Sequence, residues 1–375
     1  MGINLPGPYL TVYLVNSGIS LPLIALSLSV NKVISFAVNY PGGVIADRAG
    51  RIKSYAVGAI TFSISMLLLF MKPTPHIVLL YAILSGVGFA FMSGTREAWL
   101  IDRYYSNKRK HSPPFDIIPI WRSLHAVASA TSGLIASIVT MTVGVRYVFP
   151  LAGLLVLSSV IMFLTLPDNR GAIRTIQILR TTLRTLKERA FLGLLMYSTL
   201  TSSAMIISFI IPPLILTTRG LDEGLLGLIY TLFYISMALG SALASRVARR
   251  IHPLHYLLAY NLLVFVIYIA VASLGSLEPT ILLFILVELL LGIYNVVFIH
   301  VRNAVKPSGA RASMISLMEL SGSLAITIMA PLITSWGITF TLIASGLVTL
   351  LAIPSLILTQ SKFYCLLAIQ RIRKS

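Results

Sequence analysis

The sequence predicts an all-α membrane protein with twelve transmembrane helices, arranged as two related halves of six. Its composition is the first indication, because 57% of the 375 residues are hydrophobic and 11% are charged, whereas soluble domains carry roughly a quarter charged residues. Second, apolar runs recur at the length of about 20 residues that lets a helix cross ~30 Å of hydrocarbon. Third, a segment at 42–53 returns in weaker form at 240–250, which indicates an internal duplication.

The predicted halves are separated by a polar, basic linker. The N-terminal half covers 1–166, with spans at about 1–15, 21–46, 54–71, 76–101, 121–142 and 146–166. The linker follows at 167–190. The C-terminal half covers 191–358, with spans at about 191–217, 223–245, 254–274, 280–303, 312–334 and 338–358. A basic tail completes the chain at 359–375.

The first span is unusually short. Seventeen residues precede Gly18, whereas 29 separate residue 191 from Gly220 at the end of the seventh span. The predicted span at about 1–15 would form a helix only ~22 Å long, which is less than the hydrocarbon thickness. We therefore expect a first helix that is truncated at its N-terminus, through a start placed too late or a natural shortening. A tilted or half-inserted helix in a locally thinned bilayer is the alternative.

The distribution of basic residues orients the helices. Most of the 29 Lys and Arg residues lie in the linker, the tail and the loops after even-numbered spans, whereas the opposite loops hold only Lys72, Arg146 and Arg219. Cytoplasmic loops are enriched in Lys and Arg, so we expect a multi-pass protein of the cell membrane with both termini in the cytoplasm. The net charge of +18 then reflects topology rather than nucleic-acid binding, and the linker is expected to contact anionic lipid headgroups.

A spaced motif stands between the second and third spans. It reads Gly43-x-x-x-Asp47-Arg48-x-Gly50-Arg51 and ends at Lys53. This segment resembles the signature loop of the major facilitator superfamily, as do its weaker second copy, the six-plus-six pattern and the basic central linker. In the second copy a serine and an alanine replace the aspartate and the second glycine.

The resemblance implies a transporter that works by alternating access. In the family this loop latches the two halves on the cytoplasmic side, the aspartate faces a helix start in the second half, and the later arginine pairs with an acid that ends the fourth span. Asp47 and Arg51 match those two positions, and Asp102 matches the acid. We therefore expect Gly43, Asp47, Arg48, Gly50, Arg51 and Asp102 to form a gating site.

Charged residues within the spans are the candidates for substrate binding and proton coupling, because a charge in hydrocarbon is costly. Glu288 is the first choice for a proton carrier or substrate ligand, since burial favours the neutral form of a carboxyl; a structural partner for a nearby cation is the alternative. Asn295 and Gly292 share its face of span ten. Lys32 of span two is expected to pair with Glu319 of span eleven or to meet an anionic substrate.

Span four carries two adjacent charges, Arg96 and Glu97. Neighbouring residues point ~100° apart on a helix, so these two cannot share a face. Arg96 resembles an arginine that many drug/proton members of the family carry in this span, which implies a coupling role; a structural ion pair is the alternative. Glu97 lies on a face with Gly86 and other small residues, which favours close helix contact.

The sequence thus predicts a secondary transporter, expected to be monomeric and proton-coupled, with export of small hydrophobic or amphipathic compounds preferred over metabolite uptake. Six tyrosines are expected to suit such ligands: Tyr9, Tyr13, Tyr197, Tyr230, Tyr234 and Tyr294. Span five lacks the Gly-Pro pattern of many exporters in the family. A non-transporting receptor or decayed pseudotransporter is the alternative from another class. The single Cys365 and the lack of nucleophile–base or metal-ligand spacing predict no enzyme activity, cofactor or metal.

Overall fold

The computed structural model describes residues 2–107, 117–165, 189–305 and 311–358, which are helical throughout except for short turns and connections. We number the α-helices of these ranges in chain order. The first six are α1 Leu10–Asn16, α2 Leu21–Ala49, α3 Arg51–Phe70, α4 Pro75–Asn107, α5 Ile117–Thr142 and α6 Val148–Leu164. The next six are α7 Arg189–Thr218, α8 Leu226–Arg250, α9 Pro253–Ser273, α10 Leu277–Val305, α11 Arg311–Thr334 and α12 Ile338–Leu351. The linker up to residue 188 and the basic tail lie outside the described residues.

Ten helical segments within the described ranges are long and apolar enough to cross a membrane. The two predicted spans that do not qualify are the first and the eleventh. Within the described side chains of α11, the apolar stretch is the shorter segment Leu320–Thr334. The count of twelve spans and the pseudo-repeat therefore stay predictions.

The first segment is broken rather than a single short helix. A 3₁₀ turn covers Gly2–Asn4, and α1 has only seven residues, Leu10–Asn16. The turn packs tightly, because a Cβ atom on Gly2 would lie 2.7 Å from the backbone oxygen of Ala152 on α6. Asn4 donates a hydrogen bond to the hydroxyl of Ser129 at 2.6 Å. Contacts with α5 and α6 thus hold this segment.

The chain divides into two units, of which unit 1 contains residues 1–173 and 221–234, and unit 2 contains residues 174–220 and 235–375. In unit 1, α4 packs on α2 and α3, and α3 packs on α6. In unit 2, α7 packs on α11 and α12, and α9 packs on α10 and α12. Small residues allow the closest of these contacts: a Cβ atom on Gly88 would lie 2.7 Å from the backbone nitrogen of Phe62.

Helix α3 has one face of exposed, large apolar side chains. Large apolar side chains are exposed at every third or fourth position, as at Val57 (52%), Ile60 (46%), Ile64 (48%) and Leu67 (51%). Such a stripe covers one face of an α-helix. An exposed apolar face of this length is compatible with hydrocarbon as the surrounding solvent.

Candidate functional site

The predicted loop between spans two and three is helical in the structure, with Gly50 as the single residue between α2 and α3. Gly50 has φ 111° and ψ 140°, in a region that is disfavoured for residues with a side chain. Arg51 follows as the first residue of α3 and is 9% exposed. The positive end of the helix dipole disfavours a cation at the start of α3. A carboxylate beside Arg51 would offset this electrostatic cost. The pairing of Arg51 with Asp102 stays a prediction.

Several predicted site residues lie on described helices, but their side chains are outside the described part of the structure. They are Gly43, Asp47 and Arg48 on α2, Arg96, Glu97 and Asp102 on α4, and Glu319 on α11. Their roles in gating, coupling and ion pairing stay predictions. Gly86, which shares the predicted small-residue face of Glu97, does contact α2 closely, because a Cβ atom there would lie 2.7 Å from the backbone oxygen of Asn31.

Lys32 on α2 is a cation within a candidate membrane span, and its side chain is described. Its side chain is exposed on the long helix α2, and its Nζ atom lies 5.8 Å from the centroid of the Phe89 ring on α4. A cation and an aromatic ring attract each other at this distance. The neighbouring Asn31 donates a hydrogen bond to the hydroxyl of Ser85 at 2.7 Å. The predicted pairing of Lys32 with Glu319, and its predicted contact with an anionic substrate, stay predictions.

Glu288 lies in the middle of α10 and is half-buried. Within the described ranges, no hydrogen bond or ion pair joins its carboxyl to another residue. The group is close enough to interact electrostatically with Tyr260 of α9. Asn295, two turns further along α10, is also half-buried. The role of the Glu288 carboxyl as a proton carrier or substrate ligand stays a prediction.

The polar stripe predicted on α10 is interrupted by a helix contact. A Cβ atom on Gly292 would overlap the carbonyl oxygen of Met237 on α8, and the Ser241 hydroxyl donates to the Gly292 carbonyl at 3.2 Å. A Cβ atom on Gly240 would likewise overlap the carbonyl oxygen of Leu289. Gly292 is thus a packing residue rather than part of an open polar face, because its missing side chain lets α8 and α10 approach.

Four aromatic rings from α7, α9 and α10 form a cluster inside unit 2, which consists of Tyr197, Tyr260, Tyr294 and Phe298. Tyr294 stacks on Tyr260 with ring centroids 4.4 Å apart and on Phe298 at 5.4 Å. Asn261, next to Tyr260, donates a hydrogen bond to the Tyr197 hydroxyl at 3.4 Å. Sequence reasoning did not select Tyr260, Phe298 or Asn261. The signal available was Asn261, the single amide side chain in the predicted ninth span.

The tyrosines expected to suit an amphipathic ligand are largely core residues. Tyr9 and Tyr197 are fully buried, and Tyr230 and Tyr294 are 4% and 3% exposed. Their hydroxyls and rings contact neighbouring helices, because helix packing provides partners for both parts of a tyrosine. In this conformation they do not form an exposed ligand surface.

Comparison with known proteins agrees with this architecture. The sequence model of the Major Facilitator Superfamily matches residues 1–293. The nucleoside transporter NupG is similar in structure, with a TM-score of 0.75, 13% identity and coverage of 98% of this chain and 96% of that chain. A structure of a point mutant of NupG gives a TM-score of 0.74 at 16% identity, with coverage of 97% and 96%. No curated protein sequence matches the chain significantly.

The family match and the structural similarity support different conclusions. The two solved structures share less than a fifth of their residues with this chain and therefore establish the fold alone. The family match covers more than half of the chain and agrees with its apolar helices and its Gly-Asp-Arg-Gly-Arg motif. The chain is a multi-pass membrane protein that belongs to the Major Facilitator Superfamily of transporters.

Proposed function

We propose that this protein is a proton-coupled secondary transporter and that Glu288 is its proton carrier. The observation that supports this role is a half-buried carboxyl in the middle of a membrane helix with no hydrogen bond or ion pair to another described residue. Burial favours the protonated form and contact with water favours the ionised form. A carboxyl that meets both environments during alternating access would bind a proton on one side and release it on the other.

Lys32 and Phe89 in unit 1 are the proposed substrate contacts. They combine an exposed cation with an aromatic ring in the middle of the membrane segment. Such a pair suits a small solute with an apolar body and a polar or anionic group. Export of a small amphipathic compound is the activity that we propose first, with twelve spans, cytoplasmic termini and a monomeric state as expected from the sequence.

Transport of a nucleoside-like metabolite is the second candidate. It is favoured by the similarity in fold, over 96% or more of both chains, to the nucleoside transporter NupG. The exposed Lys32 and Asn39 on α2 also favour a polar solute, because a hydrophobic one would gain little from them. The two candidates differ in substrate and direction and share the Glu288 proton site.

Proteoliposomes that contain a pH-sensitive dye test the proposal. The probes are a lipophilic fluorescent cation and a radiolabelled nucleoside, each added outside or loaded inside. We expect one of them to drive a pH change that Glu288→Gln abolishes. Glu278→Gln is the matched control, because Glu278 is exposed in the first turn of the same helix, and it should keep the signal.

Each outcome of this experiment separates two proposals. Substrate flux with no pH change in the wild type would rule out proton coupling while keeping transport. An unchanged pH signal in Glu288→Gln would remove Glu288 from the role. Substrate binding to the folded wild-type protein without any flux would instead favour the receptor or pseudotransporter. Substrate exchange that survives in Glu288→Gln would support a coupling role, since exchange needs no net proton movement.

A further inference from the structure

Helix α5 and the beginning of α8 touch backbone to backbone within unit 1. A Cβ atom on Gly227 of α8 would overlap the carbonyl oxygen of Gly133 on α5, and a Cβ atom on Gly133 would press on the backbone of Gly227 in return. We call the contact of residues 130–141 with residues 223–231 the α5–α8 seam. It lies toward the end of these helices where the loops carry few Lys and Arg residues.

The seam is tied by hydroxyl groups that cap the first turn of α8. The first backbone N–H groups of a helix have no partner inside it. Here the Gly227 N–H donates to the Tyr9 hydroxyl at 3.0 Å, and the Leu228 N–H donates to the Ser137 hydroxyl at 3.2 Å. Tyr9 in turn donates to the carbonyl of Gly224 at 3.2 Å, and Ser137 donates to the same carbonyl. Side chains that precede α1 and lie on α5 therefore complete a helix distant in sequence.

A carboxyl that the proposed transport mechanism does not use lies at the same place. Glu223 begins the 3₁₀ turn that leads into α8. Its Oε1 atom is buried and has no hydrogen-bond partner in the described ranges. A buried carboxylate oxygen without a partner is costly, and protonation removes most of that cost.

The charges around Glu223 also favour its neutral form. Asp222 is its acidic neighbour and accepts a hydrogen bond from the Gly224 N–H at 2.7 Å. The segment 134–142 of α5 contains no ionisable residue, and the Tyr9 hydroxyl is engaged by the backbone of α8. In unit 1, the nearest cation in the loop after α5 is Arg146, which donates a hydrogen bond to the Tyr147 hydroxyl.

We propose that Glu223 is a second proton-binding site, which keeps the α5–α8 seam closed when it is protonated. Opening of the seam would hydrate the carboxyl and let it ionise. A proton shifts this equilibrium because it binds more tightly to the closed form than to the open form. The site is separate from Glu288, and it requires neither a substrate nor transport.

The accessibility of a cysteine placed in the seam tests this site directly. Ala136→Cys introduces a reporter thiol at a seam residue that is 0% exposed and that takes no part in the hydroxyl caps, in a chain whose only native cysteine is removed by Cys365→Ser. Labelling by a membrane-impermeant thiol reagent is followed over a pH series. Thr142→Cys, at the exposed end of the same helix, supplies the pH dependence of the thiol itself.

After this correction, the labelling rate of the reporter thiol is expected to rise several-fold with pH. Glu223→Gln, which mimics the protonated acid, should label slowly at every pH, whereas Glu278→Gln should behave as the parent. Gly227→Ala, which holds the helices apart, should label fast at every pH. A corrected rate that is independent of pH in the parent, or an unchanged pH dependence in Glu223→Gln, would overturn the proposal. Neither result depends on Glu288, so the proposed function is tested separately.

Discussion

The guanidinium of Arg219 donates a hydrogen bond to the backbone carbonyl of Val271 at 2.6 Å and another to the hydroxyl of Thr280. One side chain thereby joins the connection after α7 to the end of α9 and the start of α10. Burial lowers the pKa of Arg219 below its ordinary value, but arginine stays protonated in proteins. Its fork of donors fits two acceptors, which accounts for a cation on the side that carries few basic residues.

Arg219→Ala should lower the thermal stability of the purified protein in detergent. The loss of two charge-assisted hydrogen bonds costs about 1–3 kcal/mol at a half-exposed site. Lys72→Ala removes an exposed cation from the same side and should have little effect. Because the guanidinium does not titrate, the difference should be the same at about pH 5.5 and pH 8.5. A loss confined to one pH would contradict this role.

Gly50→Ala should destabilise the junction between α2 and α3. The positive φ of 111° is costly for alanine, at about 1–3 kcal/mol, and strain there would also displace Arg51. We expect a lower unfolding temperature together with slower transport. Gly275→Ala is the control, since a Cβ atom there meets nothing within 4 Å and its φ is not positive. Equal effects of the two substitutions would show that the turn is not the cause.

Gly292→Ala should weaken the packing of α8 on α10. The added methyl group would meet backbone atoms of Met237 and Ser241 rather than flexible side chains, and overpacking of this kind costs about 1–3 kcal/mol. The measurement is the unfolding temperature in detergent. Gly42→Ala is the matched control within a helix, because its Cβ atom would lie 3.5 Å from the Phe91 ring, an ordinary contact distance. A stable Gly292→Ala variant would contradict the close approach.

Arg51 and Asp102 should act as one unit in transport. Arg51→Gln and Asp102→Asn are each expected to slow transport, and the double variant should be no slower than either single one. The coupling free energy from this cycle should fall within about 0.5–3 kcal/mol. Lys53→Gln, an exposed position on the same helix, should leave the rate unchanged. Additive losses in the double variant would show that the two residues do not pair.

The sequence was most informative where one physical requirement dominates. The hydrocarbon core demands long apolar helices, so the described helices fall close to the predicted spans. The predicted loop at Asp47–Arg51 was wrong in its secondary structure, since α2 continues to Ala49 and only Gly50 is non-helical. Local polarity indicated a loop, but one glycine with a positive φ is enough to reverse the chain direction.

The candidate site was predicted less completely than the helices. A charge in hydrocarbon is rare and costly, so Lys32 and Glu288 could be selected from their positions alone. Gly292 and Tyr294 share the predicted polar and aromatic pattern, yet both are packing residues in the structure. Periodicity shows which residues share a helix face but not which neighbouring helix covers that face.

The sequence by itself determined the membrane class, the approximate spans and the family motif, and it predicts an orientation from its basic loops. These features follow from hydrophobicity, charge and local spacing, which are properties of short segments. Only the tertiary structure showed that Tyr9 and Ser137 cap α8, that Arg219 joins three elements and that an oxygen of Glu223 is buried. The hydrogen bonds join residues that are distant in sequence, and the burial of the Glu223 oxygen depends on its neighbours in space. Both arise only when the helices pack together.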